Sequence, residues 1–218
     1  RHKPSKTTRF LFLGQIERHK GVLELIRAVK DLLKEGADVR LDMVGDGGAT
    51  KEALEAAGKE PKIVFFGKVL PSKLDTVLSE ADFTVVPSNC YENAPTVIGE
   101  SFSFGVPVIV ADIGGAAERV QHGLNGLVYG PGDKNGLTDA LRSAIAAKKK
   151  WNDLSAQALR KAIPLTTSSH AARLESIYAG TDPAFDRREP VVPVRYEPKD
   201  HGPMFPTRVA VPKRSKVK

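Results

Sequence analysis

Short unbroken apolar runs alternate along this chain with longer stretches in which apolar residues recur every three or four positions. The first run, Arg9 to Gly14 (RFLFLG), predicts a strand. Val22, Leu25, Ile26, Val29 and Leu33 then mark one face of a helix over Gly21 to Lys34, with Gly36 placed to stop it. Val39 to Gly45 (VRLDMVG) predicts a second strand ending in the turn-prone DGG, followed by a helix over Lys51 to Ala57. Ile63 to Gly67 (IVFFG) predicts a third strand and Leu74 to Leu78 a short helix. Asp82 to Val86 (DFTVV) predicts a fourth strand, stopped by Pro87. A helix from about Pro95 to Phe104, a strand over Val106 to Ala111 and a short strand at Leu127 to Tyr129 follow. Helices near Leu137 to Lys148 and Asp153 to Ala162 complete the pattern.

Runs rich in Val, Ile and Phe that alternate with helices argue for βαβ units and a parallel sheet covered on both faces. The expected fold is therefore α/β, a doubly wound, Rossmann-like parallel sheet over residues 8–180. In such sheets ligands bind beyond the carboxyl ends of the strands, which directs attention to the loops at Gly14, Gly45, Gly67, Ser88 and Asp112.

Composition supports this picture: 218 residues with 41% apolar content can bury a real core. The charge of +7 is uneven, because residues 181–218 hold nine Lys or Arg against five Asp or Glu. They also hold seven of the fifteen prolines and no helical or alternating pattern, so this basic tail is expected to be disordered. Its closing VPKRSKVK has no interleaved aromatic platform, and we read it as a solvated tail without specific nucleic-acid binding. A single cysteine, Cys90, excludes an intrachain disulfide or a thiolate metal cluster and suits a cytoplasmic protein. No run of eighteen apolar residues occurs, and the opening RHKPSKTTRF has neither an apolar targeting segment nor an initiator Met. The chain reads as soluble, and as a fragment or processed piece.

Three features bear chemistry. Lys20 closes the loop GQIERHKG, where an ammonium can meet a phosphate, although on this loop alone a solvated lysine fits better. The loop SNCYENAPT leads into a helix with Pro95 as its expected first residue, so that the N–H groups of Thr96 and Val97 can face an anion at the positive end of the helix dipole. Glu92 and Glu100 flank that helix start, and a carboxylate is a strong acceptor for the vicinal hydroxyls of a ribose or hexose. From spacing alone, a helix-flank Glu100 and a dipole-facing Glu92 fit equally well.

The segment PSNCYENAPTVIGESFSFGVPVIVADIGGAAERVQHGLNGLVYGPGD resembles the E-x7-E region of retaining, nucleotide-sugar-dependent glycosyltransferases of family 4. FLGQIERHKGVLELIRAV and LDMVGDGG resemble the same family in the same order, and the likeness runs from about Thr8 to Tyr178. It implies the donor-binding half of a two-domain GT-B fold, with the N-terminal acceptor domain absent from this chain. It further implies transfer of a hexose from a UDP- or GDP-sugar to a glycan or lipid-linked acceptor, as in polysaccharide biosynthesis. Carried over residue by residue, it makes Lys20 the diphosphate ligand and Glu92 the glutamate facing the transferred sugar, the two residues expected to carry catalysis. Gly14, Gln15, Asn93, Ala94, Thr96 and Val97 would line the donor, Val69 would meet the nucleobase through backbone, and Glu100 would hold the ribose. Gln15 departs from the family's usual arginine, and a neutral amide cannot neutralise a diphosphate. No two aspartates are separated by one residue, so no metal-binding D-x-D is present and no metal is expected. The expected location is cytoplasmic or at the inner face of a membrane, and activity is expected to need the missing domain.

Two other readings compete. VGDGG after a strand suggests a nicotinamide-dinucleotide turn, but it lacks the full G-x-G-x-x-G. A catalytically incomplete nucleotide-sugar binding or regulatory module would show the same donor site.

Overall fold

The structure, a computed structural model, describes residues 6–133, 135–163 and 166–182. All but the first two residues of the predicted tail lie outside them. Six strands, β1 (Thr8–Leu13), β2 (Val39–Val44), β3 (Ile63–Gly67), β4 (Phe83–Val86), β5 (Val108–Ala111) and β6 (Gly126–Tyr129), form one all-parallel sheet in the order β3-β2-β1-β4-β5-β6. Eight helices accompany them among the described residues: α1 (Val22–Lys34), α2 (Thr50–Ala57), α3 (Leu74–Glu80), α4 (Thr96–Ser103), α5 (Gly114–Arg119), α6 (Gly136–Ala147), α7 (Trp151–Ala162) and α8 (Thr167–Ala179). The doubly wound reading holds.

Alternation along the strands explains how both faces are covered. Phe10, Phe12, Phe83, Val85 and Ile109 bury one face against α1, α2 and α6, whereas Val86, Val108 and Val110 bury the other against α4 and α5. Leu11, Val44 and Leu78 extend the second face under α3. Trp151 and Leu154 of α7 join the first layer and Ala158 the second, so this helix wraps the end of the sheet. The predicted stop after α1 is realised: Gly36 takes φ 84°, and the N–H groups of Gly36 and Ala37 donate to the carbonyls of Leu33 and Leu32.

At the amino ends of β1 and β4 a buried polar joint fixes the sheet. The Asp82 carboxylate, fully buried, accepts the Arg9 N–H at 2.9 Å and the Lys148 ammonium at 2.9 Å, while Trp151 Nε1 donates to the Asp82 carbonyl at 2.6 Å. Lys148 also donates to the Thr7 carbonyl at 2.8 Å. A charge buried this deeply is tolerable only because it is paired and bonded.

Three expectations need correction. Pro95 is the residue before α4, with φ −56° and ψ 119°, and the helix begins at Thr96; the extended ψ of Pro95 keeps it outside the helical turn. α5 escapes the apolar pattern because it opens on Gly114–Gly115, residues that ordinarily mark loops. α8 escapes it because its sequence TSSHAARLESIYA has no core-facing stripe and none of its residues is buried. Its ends are set instead by Thr166, whose hydroxyl accepts the Ser169 N–H, and by Gly180 at φ 71°.

Candidate functional site

The strand order places a reversal between β1 and β4. From β1 the chain winds outward through β2 and β3, then returns to β4 and winds the other way. At such a switch point the loops leaving the two central strands diverge and open a crevice at their carboxyl ends. Of the five loops read as candidates, those after β1 and β4 therefore form its walls.

The first wall is rigid for local reasons. Ile16 is buried, its N–H donates to the Asp46 carbonyl, and its own carbonyl accepts from Ala49. Glu17 reaches across to accept the Gly48 N–H at 2.7 Å. The glycine turn after β2 is thus braced by a carboxylate of the first loop. A single 3-10 turn, Arg18–Lys20, then delivers Lys20 to the crevice, and Gly21, at φ 69°, turns the chain into α1.

The second wall is pinned to the first by backbone. Asn89 N–H donates to the His19 carbonyl at 2.8 Å, and Gly21 lies against Pro87. Ser88 is buried and donates its hydroxyl to Glu92 Oε1; the other oxygen, Oε2, lies 3.0 Å from Lys20 Nζ. The Glu92 carbonyl accepts the Gly115 N–H at 2.8 Å, and a Cβ on Gly115 would stand 1.8 Å from the Asn93 carbonyl. Glu92 is accordingly fixed at both ends, side chain and main chain.

α4 is anchored beneath. Ile98 and Phe102 are buried, and Ser101 Oγ donates to Thr84 Oγ1 at 2.8 Å, tying the helix to β4. Its first N–H groups, those of Thr96 and Val97, have no carbonyl of the same helix to bond. Glu100 is half-buried one turn on, and its carboxylate has no hydrogen-bond or ion-pair partner among the described residues.

The structure brings Lys20 and Glu92 together and leaves the other predicted residues around them at differing depth. Gly14 and Gln15 are exposed on the first wall, where Gly45 approaches the Gly14 carbonyl so closely that a Cβ would lie 1.7 Å from it. Val69 packs its side chain toward Leu11, Val44 and Leu78. Asn93 and Ala94 line a hollow of about 400 Å³ with Phe102, Gly115, Glu118, Arg119 and Lys161, behind the Glu92 loop. Sequence reasoning missed Ser88, Glu17 and the Gly114–Gly115 brace. The serine four positions before Glu92 was the one signal available.

Among the described residues no three His, Cys, Asp or Glu side chains gather as a metal site, and no helix is long and apolar enough to cross a membrane.

Residues 1–161 match the family model described as glycosyl transferases group 1. The chain belongs to this family. Relatives include an uncharacterised glycosyltransferase of Methanocaldococcus jannaschii, 35% identical over 54% of this chain and 30% of that protein. A glycogen synthase of Mycobacterium tuberculosis is 31% identical over 62% of this chain and 33% of its own length. A D-inositol 3-phosphate glycosyltransferase of Corynebacterium aurimucosum is 28% identical over 81% and 44%. The chain therefore spans less than half the length of these relatives. Among solved structures, sucrose-phosphate synthase of Thermosynechococcus elongatus superposes with a TM-score of 0.71 at 23% identity, covering 82% of this chain and 46% of that one. Anabaena HepE in complex with UDP and glucose superposes with a TM-score of 0.68 at 22% identity, covering 80% and 49%. These likenesses establish for this group 1 member the fold of one Rossmann-like half of a GT-B glycosyltransferase.

Proposed function

We propose that this domain binds the donor, a UDP- or GDP-sugar, in the crevice between β1 and β4, as the donor half of a retaining family 4 hexosyltransferase. The observation that carries the reading is the meeting of Lys20 and Glu92, 3.0 Å apart, at the switch point of the sheet. A cation for the diphosphate and an acceptor for sugar hydroxyls stand side by side, next to the unbonded N–H groups that begin α4. Glu100, one turn further, has a carboxylate free for the ribose.

In the proposed reaction the bond from the anomeric carbon to the diphosphate breaks and its electron pair goes to the leaving oxygen. The acceptor oxygen bonds the carbon on the same face, and its proton passes to the diphosphate or to water. The domain contributes by stabilising the charge that grows on the leaving group, through Lys20 and the start of α4, without a metal. Glu92 orients the sugar and is not assigned as nucleophile. The acceptor, a glycan or lipid-linked hydroxyl, would be held by a second domain, in the cytoplasm or against the inner face of a membrane.

The exposed neutral Gln15 favours a second reading, a binding or regulatory module that holds the donor without transfer. Calorimetry with UDP, GDP and their sugars tests what both share, and absence of binding by a folded sample would sink both. Transfer to an acceptor in the presence of the partner domain separates them.

A further inference from the structure

Glu92 is engaged at both oxygens in the fold as it stands: Oε1 by the Ser88 hydroxyl, Oε2 by Lys20. The side chains of Lys20 and Glu92 retain 25% and 14% exposure, so water screens the pair only in part. The donor reading asks both residues for other partners, a diphosphate oxygen for Lys20 and a sugar hydroxyl for Glu92. A diphosphate that takes the ammonium draws it wholly or in part from the carboxylate, and a carboxylate that has lost its cation is costly to leave unpaired.

Resting on that donor reading, we infer that the Lys20–Glu92 pair is an internal competitor for the diphosphate, and that Ser88 is the positioning residue that keeps Glu92 aimed once the diphosphate takes Lys20. Ser88 is suited to this by its surroundings. It is 5% exposed and sits between Pro87, which packs on Gly21, and Asn89, which donates to His19. Its bond to Glu92 lies within one loop and does not depend on Lys20. Without it, a glutamate released by Lys20 would regain most of its rotamer freedom.

The arrangement has a consequence for specificity. A bare nucleoside diphosphate draws Lys20 from Glu92 and leaves the Glu92 charge less compensated. A sugar nucleotide breaks the same pair but offers hydroxyls to the freed Oε2. The pair therefore sets the site against the released product and in favour of the intact donor.

Calorimetry on the full chain tests this with UDP and GDP and with the corresponding hexose nucleotides. Glu92→Gln should tighten the bare diphosphate roughly three- to tenfold, by freeing Lys20. In a Lys20→Met background the same change should give no tightening, because the competitor then has nothing to occupy. Ser88→Ala should lower the ratio of sugar-nucleotide to bare-diphosphate affinity about threefold or more, and Ser88→Thr should restore it. Tightening that persists in the Lys20→Met background would indicate general charge repulsion and overturn the competitor. Weaker or unchanged diphosphate binding by Glu92→Gln would overturn it as well, and an unchanged ratio in Ser88→Ala would overturn the role of the serine. A wild-type chain that binds nucleotide while these outcomes fail rejects the inference alone. One that binds none rejects the donor reading and the inference together.

Discussion

Gly21 lies so close to Pro87 that a Cβ on the glycine would stand 1.9 Å from the proline carbonyl oxygen. This contact holds the loop after β1 against the loop after β4, and it is the reason Lys20 and Glu92 can meet. Two requirements fall on one position, since Gly21 also takes φ 69°.

Gly21→Ala should consequently destabilise the domain by about 3 kcal/mol or more, from backbone overlap and a left-handed conformation together. For a chain of this size that corresponds to a loss on the order of 6–12 °C in Tm. Thermal unfolding checks it, and a fall of less than about 2 °C would show that the loops can part without cost.

Lys20→Met removes the side-chain cation of the proposed diphosphate site. Bound UDP or GDP should weaken roughly 10- to 100-fold, the worth of a charge-assisted hydrogen bond. Unaltered affinity by calorimetry would move the phosphates elsewhere.

Glu100→Ala should weaken nucleoside diphosphates about tenfold while leaving inorganic diphosphate unaffected, because only the former carries a ribose. Competition between the two ligands reads the difference directly. Equal losses for both would assign Glu100 to the helix and not to the ligand.

Asp82→Ala strips the partner from Lys148 at the opposite end of the sheet. Since the Asp82 side chain is fully buried and that of Lys148 only 12% exposed, the change should cost about 3–5 kcal/mol in denaturant unfolding. Asp82→Asn with Lys148→Met should recover part of the loss, and nucleotide affinity of folded protein should stay the same.

The Thr50 hydroxyl and the Gly47 N–H both bond the Asp46 carboxylate and hold its pKa below the ordinary 3.8. A group whose folded pKa is lowered contributes stability that is present above the unfolded value and lost as pH falls through the folded one. Asp46→Asn should remove this contribution, so that the variant's acid unfolding curve is flatter below pH 4 than the wild type's. Parallel curves would show that the bonds are equally good in the unfolded chain.

Strand and helix order was legible because the inner strands are buried on both faces and each crossover helix but one carries an apolar stripe. α5 was hidden behind Gly114–Gly115, whose lack of side chains serves the close approach to Glu92 and Asn93 rather than any loop. The site was legible in its parts, Lys20 and Glu92, but not in its closure. That Lys20 faces Glu92 depends on β4 lying beside β1, a long-range pairing with no local trace. Ser88 marked a candidate loop, but its own part was missed for a related reason: a serine after a strand has many ordinary uses, and only the fold of its loop turns it onto Glu92.

β1 pairs with β2 over six residues, but with β4 only at Phe10–Phe83 and Leu11–Thr84. The central seam is thus stitched at its base by Asp82 and the short ladder, left open above Leu11, and clasped again at the top by Asn89–His19 and Lys20–Glu92. These fastenings cross the seam between the two half-sheets, so a molecule bridging the clasp would tighten both, and amides on either side of the seam would record its arrival as slower hydrogen exchange.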